Sequence, residues 1–419
     1  MFLRRHSENL LAELRARLPE RLPRKLGVAV SGGGDSVALM HLLHEIAQTE
    51  TTTVFVATVD HGLRPEARQE AEAVSRQAAA LGMAHDTLHW AGWDGAGNLQ
   101  AHARQARYKL LADWTRERGI DAMALGHTAD DQAETLLMRL GRSSGVTGLS
   151  GMSASRQLEG LTLMRPMLGI TRKDLRAYLA GIGASWVEDP SNQDTRFDRI
   201  KAREALCGLK PLGIDALSLS RVADNLAQAH AALGVFAQES ARNVAQVEQG
   251  DVKVGRAGFA ALPKEIRRRV LVGSLAWIAG QGYPPRQAAV EQAMEAMTDG
   301  RPGSVGGCLL VPKGNSVWIC REFRAVEAQI SASDEVWDGK WVLSGPEISG
   351  AEIRALGEGG LRQVPDWRET GRPRLALSAT PAVWQGGTVL AAPLAGFANG
   401  WRADMSPEWP EFYASFLSH

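Results

Sequence analysis

Four times between Leu26 and Leu140, a short run of β-forming apolar residues gives way to a break and then to a longer run with helical spacing. Leu26–Val30 leads through Ser31–Ser36 into Val37–Ala47, and Thr53–Asp60 precedes Pro65–Leu81. Ala84–Trp90 precedes Leu99–Arg118, and Asp121–Leu125 precedes Ala129–Leu140. Strands joined through helices cannot pair as hairpins. They must lie mainly parallel with the crossover helices on both faces, which predicts an α/β, doubly wound, Rossmann-like sheet. Such sheets bind ligands outside the carboxyl ends of their strands, so the chemistry is expected after Val30, Asp60 and Leu125.

A chain of 419 residues is too long for one hydrophobic core, and two or three domains are expected. The α/β pattern continues through Leu161–Leu168 and the helical Lys173–Ala180 to a boundary near Lys210-Pro211, giving a first domain over residues 1–210. Beyond it strand-type alternation stops. Val222, Leu226, Ala229, Leu233 and Phe236 recur at steps of four and three as one apolar stripe of a long helix. Further helices are predicted over Pro263–Ala279 and Arg286–Met297, closed by a hairpin of Gly306–Val311 and Val317–Arg321 around Pro312–Asn315. Residues 211–330 therefore read as a mainly helical domain. From about Ala332 the chain is rich in Trp, Gly and Pro and leans acidic. Trp337–Leu343, with the pair Ala382–Trp384 and Thr388–Ala392 across Gln-Gly-Gly, predicts a small β-rich domain over residues 331–419.

The sharpest local signal is Ser31-Gly-Gly-Gly-Asp-Ser36. Glycines between a strand and a helix leave backbone N–H groups open beside the positive end of the helix dipole, where a phosphate fits. The loop lacks the third glycine of a dinucleotide fingerprint and the Gly-Lys-Ser/Thr ending of a Walker loop. Ser31, Gly32, Gly33, Gly34, Asp35 and Ser36 are the candidate nucleotide-binding residues, with Asp35 helping to hold Mg²⁺ and the serines donating to phosphate oxygens. A second signal is Gly126-His-Thr-Ala-Asp-Asp-Gln-Ala-Glu-Thr135. On a helix His127, Asp131 and Glu134 share one face, and Asp130 stands a step of four from Glu134. The helix dipole alone accounts for Asp130 or Asp131 singly, but not for His127 and Glu134 beside them. The carboxylates suit Mg²⁺ or a cationic amine, and the imidazole suits charge developing on a phosphate; the division of roles is open. Asp60 and His61 either touch the nucleotide or cap the following turn. Arg104 and Arg107, one helical turn apart, can neutralise phosphate.

Lys plus Arg and Asp plus Glu number 47 each, so any nucleic-acid contact must be local. Candidates are Arg199, Lys201 and Arg203 and the run Arg267, Arg268 and Arg269, although three successive helical residues cannot all face one way. Cys207, Cys308 and Cys320 fall outside every motif, which leaves no disulfide framework or CxxC site and points to a reducing cytoplasm. No run approaches the ~20 apolar residues needed to span a bilayer, so no membrane role is expected. Oligomeric state is not legible, a homodimer being one option.

The Ser31–Ser36 loop matches the SGGxDS signature of the PP-loop ATP pyrophosphatases. With VDHGLRPEA, NLQAHARQARY, GHTADDQAET, Arg165-Pro166 and Trp186-Val-Glu-Asp-Pro-Ser-Asn192 followed by Asp194 and Phe197, the chain resembles the tRNA(Ile)-lysidine synthetases over residues 26–200. One departure is Phe197-Asp-Arg-Ile-Lys-Ala-Arg203, where many members read Phe-x-Arg-Asn-Arg-Ile-Arg. The resemblance implies that the wobble cytidine of a CAU-anticodon tRNA(Ile) attacks the α-phosphorus of ATP through its C2 oxygen. Lysine then displaces AMP. It further implies Asp35 and Asp130 toward Mg²⁺, His127 and Arg107 near the α-phosphate, and Asp131 and Glu134 toward the ammonium groups of L-lysine. A tRNA thiolation enzyme, the nearest rival, generally needs reactive cysteines, and these three lie away from the motifs. A non-catalytic RNA-binding module would release no pyrophosphate.

Overall fold

A computed structural model describes residues 2–62, 66–90, 99–158, 160–188, 198–280 and 285–417. Parts of two predicted motifs, Leu63-Arg64-Pro65 and Asp189 through Phe197, lie outside the described residues. The chain divides into two compact units, Met1–His230 and Ala231–His419. That division falls within a long helix, beyond the Lys210-Pro211 junction.

The first unit runs α1 (Phe2–Ala16), β1 (Lys25–Ala29), α2 (Gly34–Ala47), β2 (Thr53–Asp60), α3 (Glu66–Ala80), β3 (Ala84–His89), α4 (Leu99–Arg118) and β4 (Ala122–Leu125). It continues with α5 (Ala129–Leu140), α6 (Val146–Leu149), β5 (Ser155–Leu158), β6 (Leu161–Met164), α7 (Arg172–Ile182), α8 (Asp198–Leu209) and the first half of α9 (Ala216–Val244). One sheet has the order β3-β2-β1-β4-β6-β5, in which all neighbours are parallel except the edge strand β5. The parallel doubly wound arrangement is the expected one. Because both faces are covered, β4 and all of β1 after the exposed Lys25 are continuously buried rather than alternating. Leu26 and Val28 pack with Leu14, Leu39, Leu43 and Tyr178 on one side, and Ala29 packs with Leu111, Trp114 and Met123 on the other. The chain leaves β1 in one direction along the sheet and returns to β4 on its other flank, so the crevice for a ligand opens between the carboxyl ends of these two strands.

The second unit holds the rest of α9, β7 (Ala245–Glu248), β8 (Asp251–Gly255), α10 (Arg256–Ala261), α11 (Lys264–Ala279), α12 (Gln287–Asp299), β9 (Gly303–Val305), β10 (Cys308–Lys313) and β11 (Ser316–Arg321). An antiparallel sheet β7-β8-β11-β10-β9 packs against α11 and α12, and Phe412 and Phe416 from the end of the chain join its core. Then follow β12 (Ile330–Ser331), β13 (Trp341–Ser344), β14 (Glu352–Ala355), β15 (Pro381–Gln385), β16 (Thr388–Ala391) and β17 (Arg402–Met405). They form antiparallel sheets β12-β14-β15-β16 and β13-β17. Among the described residues no helix is long and apolar enough to cross a membrane.

Three expectations change. Strand character does not stop after residue 210, since β7 and β8 form a hairpin across Gln249 and Gly250, both left-handed. The expected stripe on α9 is not its buried ridge: Val222 and Phe236 are 45% and 47% exposed, while Ala223, Ala237 and Ala241 are buried. Close packing selects small residues there, and hydropathy patterning undervalues them. Trp337 does not begin a strand, because left-handed Asp338 and Gly339 turn the chain and β13 starts at Trp341.

Candidate active site

At the end of β1 the chain turns through Gly32, whose φ of +88° suits glycine, into an extended Gly33 that caps α2 without any side chain. No side chain caps the first turn of α2, which leaves its positive end for an anion. Ser36 Oγ accepts from the Ser31 N–H at 3.1 Å and donates to the Gly33 carbonyl at 2.9 Å, so this hydroxyl clasps the loop. Val187 N–H donates to the Gly32 carbonyl at 2.9 Å, and a Cβ on Gly34 would stand 3.2 Å from the Trp186 ring. The Trp186-Val187 segment is therefore laid along the loop.

The turn after β4 arrives from the other side. A Cβ on Gly126 would lie 3.0 Å from Ser36 Cα and 3.1 Å from Ser36 N, so only glycine lets the two loops touch. Thr128 then caps α5 in a reciprocal box: its hydroxyl accepts from the Asp131 N–H, and Asp131 Oδ2 accepts from the Thr128 N–H at 2.9 Å. One oxygen of Asp131 thus serves its own helix. The other faces Arg172, the first residue of α7, whose Nη2 is 2.6 Å from Asp131 Oδ1.

Arg172 is the centre of the acidic side. Its Nη1 donates to Glu134 Oε1 at 2.8 Å, its Nε to Asp35 Oδ2 at 3.1 Å, and its backbone N–H to Asp130 Oδ2 at 2.8 Å. Arg203 Nε adds a second donor on Glu134 Oε1 at 3.0 Å. Burial opposes the charge on Arg172, but Asp131, Glu134 and Asp35 outweigh it and hold the guanidinium above its ordinary range. Burial would raise Asp131 too; Arg172 and the Thr128 donors overcome it and keep the carboxylate below its usual range. Asp35 is the exception. Burial pushes it up to about 6, with Arg172 pulling down and Asp131 adding to the rise. Glu134 Oε2 is buried without a hydrogen-bond partner among the described residues.

The opposite side is cationic. Burial, aided by Arg165, Arg107 and Arg199 and opposed by Asp131, lowers His127 to about 4, so its imidazole is neutral near pH 7. Its Nδ1 is buried and unpartnered among the described residues. Arg165 Nη1 donates to the Ser153 carbonyl at 2.7 Å, and Arg104 stacks on Tyr108 with 5.2 Å from guanidinium to ring centre. A cleft of about 840 Å³ collects Ser31, Asp35, Arg107, His127, Asp131 and Arg172, with His61, Trp186 and Arg203 also at its wall.

Not every sequence candidate reaches this cleft. Asp60 accepts from the Gly62 N–H at 2.8 Å and lies 3.7 Å from His89 Nδ1, so it caps its turn. Arg199 is exposed, and Lys201 lies 3.8 Å from Asp198. In the second unit Arg268 and Arg269 both bond Glu265, at 2.7 and 2.9 Å, and Arg267 reaches Thr298 at 3.4 Å. Sequence reasoning did not single out Arg172, and it placed Arg203 with RNA rather than with Glu134. In the sequence Arg172 stands just before the expected Lys173–Ala180 helix, soon after Arg165-Pro166, and the structure makes it the first residue of α7.

The donor set also bears on a metal. Among the described residues no group of three or more His, Cys, Asp or Glu forms a ready cage. Mg²⁺ at nucleotide sites commonly takes one or two carboxylates and completes its shell with phosphate and water, and Asp35 at the start of α2 fits that chemistry.

The phosphate loop, the strand order and the cleft define a PP-loop, ATP-using enzyme, and a PP-loop domain family model matches residues 4–209. The tRNA(Ile)-lysidine synthase of Ruegeria pomeroyi is 52% identical over 419 residues, covering all of both chains. That of Rhodopseudomonas palustris is 42% identical over 275 residues (65% of this chain, 79% of the relative), and that of Methylobacterium nodulans 39% over 326 residues (74% and 96%). The chain belongs to the tRNA(Ile)-lysidine synthase family and is an ATP-dependent, tRNA-modifying ligase.

Proposed function

We propose that this cleft runs the family's two steps with the following residues. The C2 oxygen of the wobble cytidine of a CAU-anticodon tRNA(Ile) attacks the α-phosphorus of ATP, and pyrophosphate leaves toward the N-terminal end of α2. Arg107 and a neutral His127 donate hydrogen bonds as charge grows on the α-phosphate. Asp35 holds Mg²⁺, which supplies charge neutralisation for the triphosphate when bound. Asp130 is left to tie α5 to the Arg172 N–H. The lysine ε-amine then attacks C2 of the adenylated cytidine and AMP departs, leaving lysidine and changing the tRNA from methionine to isoleucine identity. Positioning and charge stabilisation carry the rate, and no covalent enzyme intermediate is required.

The observation that carries this reading is the joining of a phosphate loop without a side-chain cap to Asp35 and Asp131 in one cleft, with Arg172 linking them to the buried Glu134, whose Oε2 has no donor among the described residues. Asp131 and Glu134 suit an ammonium group. A cytoplasmic setting suits such a substrate. Mixing the protein with Mg²⁺, ATP, labelled lysine and a CAU-anticodon tRNA(Ile) transcript tests it. Label is expected in the RNA, and to fall at least about a hundredfold with Asp35→Ala or with a changed wobble base. Lysine incorporation that survives the wobble change refutes the assignment.

A further inference from the structure

Three carboxylates proposed for two different ligands, Asp35 for the metal nucleotide and Asp131 and Glu134 for lysine, are gripped in the structure by one guanidinium. Resting on that reading, we propose that Arg172 is a positioning residue that couples the two subsites: nucleotide binding at Asp35 loosens its hold on Asp131 and Glu134 and so opens them to the lysine ammonium. The competition is set by atoms. Asp131 Oδ1 and Glu134 Oε1 each accept from Arg172, at 2.6 and 2.8 Å, and Asp131 Oδ2 is already taken by Thr128. An arriving ammonium therefore meets an internal cation on Asp131 Oδ1 and Glu134 Oε1, and of the two carboxylates Glu134 Oε2 alone stands without a donor among the described residues.

The backbone of Arg172 cannot yield. Thr171 caps α7 through the Asp174 N–H at 3.2 Å, and the Arg172 N–H is held by Asp130. The side chain lines the cleft, and a change there falls on it rather than on the tied backbone. The sign of the coupling follows. Engaging Asp35 elsewhere removes one of three ion pairs that keep the guanidinium inward, so Arg172 competes less well and lysine binds more tightly. Such linkage is reciprocal and commonly amounts to a five- to hundredfold change in affinity, roughly.

Lysine binding to the full-length protein, measured by titration calorimetry with and without saturating Mg²⁺ and a nonhydrolysable ATP analogue, tests this directly. Wild type is expected to bind lysine about tenfold more tightly with the analogue. Arg172→Gln removes the competitor: lysine should bind without the analogue at least as tightly as in wild type, and the analogue's effect should shrink to about twofold or less. Arg172→Lys keeps the charge but not the fork that spans three carboxylates, so its ratio should be intermediate. Equal lysine affinity in wild type with and without the analogue overturns the inference. So does an undiminished ratio in the Gln variant, whose folding is checked by analogue binding, or in the Lys variant should the other fail to fold. If wild type binds the analogue but lysine in neither condition, the lysine subsite falls and this inference with it. If it binds no analogue, the nucleotide reading itself has failed.

Discussion

Two clusters of buried charge, one in each unit, differ in what surrounds them. Arg172 joins Asp35 and Asp131, which line a cleft of about 840 Å³, to the buried Glu134, one of whose oxygens lacks a donor among the described residues, and Asp35 is raised to about 6. In the second unit Arg372 Nη2 lies 2.5 Å from Asp251 Oδ2 and its Nη1 3.1 Å from the Leu394 carbonyl. Nearby Lys340 donates to the Gly250 carbonyl at 2.8 Å with its ammonium 4.2, 5.3 and 5.6 Å from the ring centres of Trp277, Trp409 and Trp341. That cluster borders a void of about 10 Å³, at the limit of what one water needs. Buried charge by itself says little about chemistry. Arg372 Nε is itself buried without a partner among the described residues, so the difference lies in the space for a ligand, and the second cluster reads as structural.

The largest expected effect tests that contrast. Arg372→Met leaves Asp251 buried and mostly uncompensated, and should cost about 3–5 kcal/mol in urea unfolding while the folded fraction still binds ATP analogue with wild-type affinity. Loss of binding in folded variant would erase the distinction between the clusters. Next comes acid. Asp35, lifted by burial to about 6, is a carboxylate above that pH and protonated below it. With saturating tRNA, kcat/KM for ATP, followed by pyrophosphate release, should fall about tenfold per pH unit below 6. A profile flat down to pH 5 removes Asp35 from the ionised machinery. The smallest effect belongs to Lys340, lowered to about 8 chiefly by burial, with Asp251, Asp338 and Cys308 opposing and Arg321 reinforcing. Since the unfolded lysine still takes a proton at that pH, stability should rise through this window by about 1 kcal/mol between pH 8 and 9. Lys340→Met should lose that rise, and a variant with the same slope as wild type would show that the ammonium is not held as described.

Local signals in the chain were the readable ones. The glycine loop and the Gly126–Glu134 motif each declare themselves within ten residues, because strand, turn and helix dipole are neighbours in sequence. Arg172 is different. Its meaning comes from α7 docking beside α2 and reaching α5 through Asp130, a long-range placement that no spacing rule anticipates. Arg203 looked like a surface cation for RNA, and only the packing of α8 on α5 turns it toward Glu134. The β7–β8 hairpin was legible in principle, since Ala245, Val247, Val252 and Val254 alternate around Gln249-Gly250, but the strong helical stripe beside it dominated the pattern.

Gly126 has a mechanical consequence. With no side chain between them, its peptide rests on Ser36 and the end of Asp35, so the two loops share a hinge pin. On the proposed reading, a nucleotide that shifts the first loop would be felt at the residue before His127 through backbone touching backbone, with no side chain between to absorb the movement.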